Sequence, residues 1–175
     1  MDKALYVAMT GAAQTLRAQT ANSNNLANAS TVGFRAELAA LQPVEVTGAG
    51  QFSTRFDAQL QEAGWDSSAG AIMSTGRDLD IALREDRWLA VQASDGSEAY
   101  TRAGDLRVDA NGQVRNGAGH AVIGDGGPLS APPNSSISIG ADGTVSVVPL
   151  GQGPATQAAI GRLKIVEAVP KDLVR

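Results

Sequence analysis

Catalysis or metal binding in this chain would have to be built from one histidine, His120, and carboxylates such as Asp78, Asp80, Glu85 and Asp86, because there is no cysteine. An acid–base pair needs two titratable groups whose surroundings push their pKa values apart. These carboxylates instead alternate with Leu79, Ile81 and Leu83 at strand spacing, the pattern of a solvated face. His120 follows Gly117-Ala118-Gly119, a turn composition that suits a solvated loop histidine, and it has no second imidazole or thiol with which to share a transition metal. Asp109-Ala110-Asn111-Gly112 begins like a calcium loop, but Val114 and His120 stand where the loop requires glycine and a bidentate glutamate. Gly117-Ala118-Gly119 and Gly124-Asp125-Gly126-Gly127 lack the third glycine and following helix of a dinucleotide fingerprint, and no Gly-Lys-Ser/Thr follows. Asn28-Ala29-Ser30 and Asn134-Ser135-Ser136 match glycosylation acceptors by pattern alone. No catalytic residue, cofactor, metal or small-molecule substrate is expected.

The hydrogen-bonding chemistry that does stand out is the carboxamide. Asn22, Asn24, Asn25 and Asn28 crowd the end of a segment otherwise patterned as an amphipathic helix. Asparagine is a poor residue for a helix interior, since its short amide competes for backbone hydrogen bonds. Such a cluster points to amides with partners, in local turns or on another packed helix. Upstream, Leu5, Met9, Ala12, Leu16, Gln19, Ser23 and Leu26 fall at alternating steps of four and three, the seam of a coiled-coil-like helix with Asp2 as its N-cap. Only Leu5, Met9, Leu16 and Leu26 on that seam are large and apolar, and burying them is worth on the order of 10 kcal/mol. Ordering the backbone costs about 1 to 2 kcal/mol per residue, and Gly11 adds about 1 kcal/mol relative to alanine. Residues 2–28 are therefore expected to order fully only when the seam meets another helix.

The fold class expected is mainly β with an N-terminal amphipathic α-helix, comprising an irregular, mostly antiparallel β-domain and an extended linker. Residues 1–35 form the helix and turn, 36–75 an extended linker with a short helix over 36–41, and 76–175 the β-rich domain. Pro43 and Gly48-Ala49-Gly50 break regularity in the linker, whose Phe52, Phe56, Leu60 and Trp65 suggest that it lies along another surface. From Leu79 the hydrophobic period becomes two. Strands are expected over 88–92, 98–102, 106–109, 113–115, 121–123, 137–139, 144–148 and 162–166. Asp95-Gly96, Asn111-Gly112 and Asp142-Gly143 suit tight turns between them, while Pro128, Pro132 and Pro133 belong in a loop or at an edge. A net charge of −4 gives no support to nucleic-acid binding. No run approaches the roughly 20 apolar residues of a membrane span, and the run from Ala4 to Met9 is too short and polar-flanked for a secretory signal.

Asn24-Asn25-Leu26-Ala27-Asn28 followed by Thr31-Val32-Gly33-Phe34-Arg35 resembles the N-terminal signature of the axial proteins of the bacterial flagellum, the rod, hook and hook-associated proteins. The opening residues Met1 to Ala12 are most similar to the proximal-rod members. Thr75-Gly76-Arg77-Asp78-Leu79-Asp80-Ile81-Ala82, Trp88-Leu89-Ala90-Val91-Gln92 and Tyr100-Thr101-Arg102-Ala103-Gly104-Asp105 resemble blocks of that family's β-domain. The resemblance implies a structural subunit of the basal-body rod, without catalytic activity, whose first helix joins an inner helical layer with copies of itself and other rod proteins. It implies export from the cytoplasm without a cleaved signal and residence in the periplasm-spanning rod. It also implies a second amphipathic helix pairing with the first, and no such pattern occurs up to Arg175. The assembly interface expected on this basis is Leu5, Met9, Leu16 and Leu26 as apolar seam, with Asn22, Asn24, Asn25 and Asn28 as polar pins. Thr31 lies in the matching block, Gly33 permits the turn that redirects the chain, and Phe34 anchors it. The alternatives are a soluble β-rich protein-binding module with an internally docked helix, or another flagellar axial protein of the distal rod or hook.

Overall fold

The computed structural model describes residues 4–46, 56–84, 86–153 and 155–168, and forms two compact units, Met1–Ser68 and Ala69–Arg175. It is mainly β with a single helix among the described residues, and its strand pairings are antiparallel.

In the first unit, helix α1 (Ala4–Ala27) is followed by strands β1 (Glu37–Glu45) and β2 (Phe56–Trp65). The strands pair from Glu37 opposite Trp65 to Glu45 opposite Phe56, with an irregularity between Leu38 and Ala39. Gly64, at φ +91°, lies beside that irregularity and supplies the left-handed backbone a bulge requires. The helix expected over residues 36–41 is thus corrected to strand. Ala-Glu-Leu-Ala-Ala-Leu satisfies helical propensity, but pairing with residues 60–65 overrides it. Pro43 sits inside β1 opposite Ala58 rather than ending regular structure, as a strand with a free edge allows.

The second unit holds β3 (Arg87–Gln92), β4 (Glu98–Thr101), β5 (Leu106–Val108), β6 (Val114–Asn116), β7 (Ala121–Gly124), β8 (Gly127–Pro128), β9 (Asn134–Ile139), β10 (Thr144–Pro149), β11 (Ala158–Arg162) and β12 (Ile165–Glu167). One sheet runs β12-β3-β7-β6-β5, with β4 also on β3 and β8 on β7; a second runs β11-β10-β9. Leu89, Val91, Leu106, Val114, Val122, Leu129, Val145 and Leu163 form its core. The single strand expected over 162–166 is divided: Leu163 N–H donates to the Gly143 carbonyl and Lys164 N–H to the Ile123 carbonyl, so the chain passes there from one sheet to the other.

Three dipeptide turns share one construction. In Ala93–Gly96, Asp109–Gly112 and Gly140–Gly143 the glycine N–H donates to the carbonyl three residues back, and only the glycine takes positive φ. The aspartates fold back on the turn: Asp95 Oδ1 accepts from Ser97 N–H, Asp109 Oδ1 from the Asn111 and Gln113 N–H groups, and Asp142 Oδ1 from Thr144 N–H. Each carboxyl is held below its ordinary pKa, chiefly by a side-chain hydrogen bond from Ser97, Arg115 and Thr144 respectively.

Candidate assembly face

Helix α1 contains no buried residue, and no described residue up to Ser68 is buried. Its partly shielded positions are Val7, Thr10, Gly11, Gln14, Ala18, Ala21 and Asn25, one stripe at helical spacing that Asn28 continues just past its end. The helix lies against both β1 and β2. At 3.6 residues per turn, Leu5, Met9 and Leu16 fall on the opposite side of the helix from that stripe. They are 67, 59 and 64% exposed, and Leu26 is 79% exposed. The small and polar face is therefore turned inward, and the seam of large apolar residues is turned out.

Sequence charge reinforces this. Arg17 is the only charged residue from Ala4 to Phe34, whereas a helix facing water ordinarily carries charged residues on its outer face. Thr10, Thr15 and Thr20 return their hydroxyls to the carbonyls of Tyr6, Gly11 and Leu16. Exposed Tyr6 widens the apolar surface on the helix, and Leu38, Leu41, Val44 and Phe56 on the hairpin are exposed as well. Of these hairpin positions only Phe56 stood out in the sequence; period-based reading missed Leu38, Leu41 and Val44, because a two-stranded ribbon without a core has no apolar face that repetition alone can reveal.

The asparagine cluster divides into separate roles. Asn25 bonds across to the first residue of β1, its Nδ2 donating to the Glu37 carbonyl at 2.9 Å and its Oδ1 accepting from Glu37 N–H at 3.0 Å. Asn28 Nδ2 donates to the Asn24 carbonyl at 3.0 Å, closing the helix end, and Asn28 Oδ1 accepts from Thr31 Oγ1 at 3.3 Å. Asn22 and Asn24 are exposed. Phe34 N–H donates to the Thr31 carbonyl at 3.1 Å, and Gly33 between them has φ +72°, a turn whose third residue must be left-handed. Phe34 is partly shielded and Thr31 exposed.

The residues weighed for catalysis lie elsewhere in unrelated surroundings. His120 is half-buried, not fully solvated; its backbone N–H donates to Oδ1 of Asn116, the one buried polar residue described. Asp78 and Asp86 are exposed, and Asp80 pairs with Arg77 at 3.4 Å; Glu85 lies outside the described residues. Residues 77–86 form no regular strand among those described, although Leu79, Ile81 and Leu83 do pack on the core. No group of three or more potential ligands is placed to hold a metal, and no helix is long and apolar enough to cross a membrane, among the described residues.

Two arginines that sequence reasoning passed over as functional groups secure this segment. Arg102 donates to the carbonyls of Leu83 at 2.9 Å and Arg87 at 3.0 Å while its guanidinium sits 5.6 Å from the Trp88 ring centre. Arg77 donates to the Leu106 carbonyl at 3.0 Å. Their only sequence signal was membership of the blocks starting Thr75 and Tyr100.

Two stretches of the chain match known protein families. Residues 5–35 match the family described as "Flagella basal body rod protein", and residues 82–147 match "Flagellar hook protein FlgE/F/G D1 domain". The flagellar basal-body rod protein FlgF of Salmonella typhimurium is 47% identical over 175 residues, covering 100% of this chain and 69% of the relative. FlgF of Escherichia coli is likewise 47% identical with the same coverage. The rod protein FlgG of Bacillus subtilis is 32% identical over 163 residues, covering 85% of this chain and 61% of the relative. The chain belongs to the flagellar basal-body rod protein family, as a FlgF-like structural rod subunit.

Proposed function

We propose that this subunit assembles through α1 into a helical axial array with copies of itself and other rod proteins, and works without catalysis. Leu5, Met9, Leu16 and Leu26 supply the apolar contact, with exposed Asn22 and Asn24 as polar contacts beside it. Asn25, Asn28, Thr31, Gly33 and Phe34 shape the bend that sets the helix relative to its hairpin. The observation that carries this reading is the two-sidedness of α1: the hairpin occupies the small, polar stripe, and the large apolar residues face away from it. Head-to-tail contacts that do not close on themselves generate such arrays. The subunit is exported without a cleaved signal and takes its place in the periplasm-spanning rod of the basal body.

The contact of α1 with its own hairpin favours the rival reading, a binding module with an internally docked helix. Amide exchange separates the two. In the dispersed full chain, amides of residues 4–35 are expected to exchange far faster than those of Leu89, Val122 and Val145, and to become protected in isolated basal bodies. Equal protection of helix and core in the dispersed chain would favour the module.

A further inference from the structure

Building on the rod-assembly reading, we propose that Asn25 is a positioning residue that locks α1 to β1 and so fixes the direction in which Leu5, Met9 and Leu16 are presented. Its carboxamide makes two bonds with a single residue twelve positions away, donating to the Glu37 carbonyl at 2.9 Å and accepting from Glu37 N–H at 3.0 Å, in a part-buried setting. A carboxamide carries the donor and acceptor of a peptide group, so Asn25 meets the start of β1 as a neighbouring strand would. Both backbone groups of Glu37 point toward α1, so this pair docks the helix on the edge of the ribbon.

Two-point bonding matters because little else sets the rotation of α1. The helix has no buried residue, and the face it turns to the ribbon is small or polar. A slip of one residue would swing the seam by about 100° around the helix axis. Chemistry narrows the choice of side chain at this position. Alanine removes both bonds, and aspartate keeps the acceptor but sets a carboxylate against the Glu37 carbonyl. Asn28 does not share the role, since its bonds stay within the end of the helix and the turn that follows.

The test uses N25A, E37P and the double variant in the full chain. Proline at 37 deletes the N–H that Asn25 accepts, at the first residue of a strand where proline is tolerated. In the dispersed chain N25A is expected to speed exchange of the Glu37 amide and of the last-turn amides of α1 by about tenfold. E37P, which leaves the residue-37 carbonyl to accept from Asn25 Nδ2, should speed the α1 amides by less, the double variant should add nothing beyond N25A, and amides of the β-rich unit should be unchanged. In a strain lacking the subunit, N25A should be exported at the normal level and fail to restore swimming. Unchanged exchange in N25A, additive effects in the double variant, or normal swimming despite accelerated exchange would each overturn the proposal. Exchange in the dispersed chain reads the Asn25 pair alone, whereas swimming of a separate variant with a carboxylate on the seam, Leu16→Asp, reads the seam alone, so either can fail by itself.

Discussion

Replacing Leu16 by aspartate puts one side chain to use in two environments. Leu16 is 64% exposed, so in the dispersed chain the change costs about 0.5 kcal/mol of helix propensity, within the range of surface substitutions. Against a neighbouring helix the same position becomes buried. Full burial of leucine is worth roughly 1.5 to 3 kcal/mol, and the part still exposed before docking corresponds to about 1 to 2 kcal/mol. Desolvating the introduced carboxylate adds several kcal/mol more. A total loss above about 3 kcal/mol weakens each subunit contact at least about 100-fold. Circular dichroism and thermal melting of the purified L16D chain should therefore match the parent, while the protein is absent from isolated basal bodies and swimming is lost. Rods of normal composition containing L16D would refute the assignment of the seam.

Other expectations concern the β-rich unit. Gly104 is held where a Cβ would run into the Ile81 carbonyl, and Ile81 N–H donates to the Gly104 carbonyl at 2.9 Å. G104A should therefore lower stability by about 1 to 3 kcal/mol in urea titration, and an unshifted midpoint would contradict the close approach. Acid should also destabilise this unit. Asp95, Asp109 and Asp142 have folded-state pKa values below their unfolded ones, so their contribution is complete above about pH 4 and is lost as pH falls through the folded values. A melting temperature that drops below pH 4 in the parent, and drops less in D109N, checks that sign; a rise on acidification would contradict it.

Where local chemistry decides structure, residues disclosed it in advance. The four-and-three spacing of Leu5, Met9 and Leu16 located α1, and Asp-Gly and Asn-Gly pairs located the turns because only glycine there adopts positive φ at no cost. Long-range pairing was less readable. Residues 36–41 have helical composition, and nothing local announces that residues 60–65 will draw them into a ribbon. Lys164 likewise sits in a β-rich run, yet its backbone bond to Ile123 belongs to a junction between sheets. Within the asparagine cluster, composition showed that the amides needed partners but could not assign them. Asn25 reaches Glu37 because of the bend at Gly33, a relation between distant residues. Asn116 gave no signal either: it lies just past the strand expected over 113–115, and it is buried with its amide oxygen accepting from the backbone N–H of His120.

The central claim is that the outward stripe of α1 becomes covered only when the subunit joins the rod. The chain has no cysteine, so L16C introduces a single thiol at the middle of that stripe. Maleimide labelling should be fast in the dispersed chain and strongly suppressed in isolated basal bodies. Equal labelling in the two states would contradict the account.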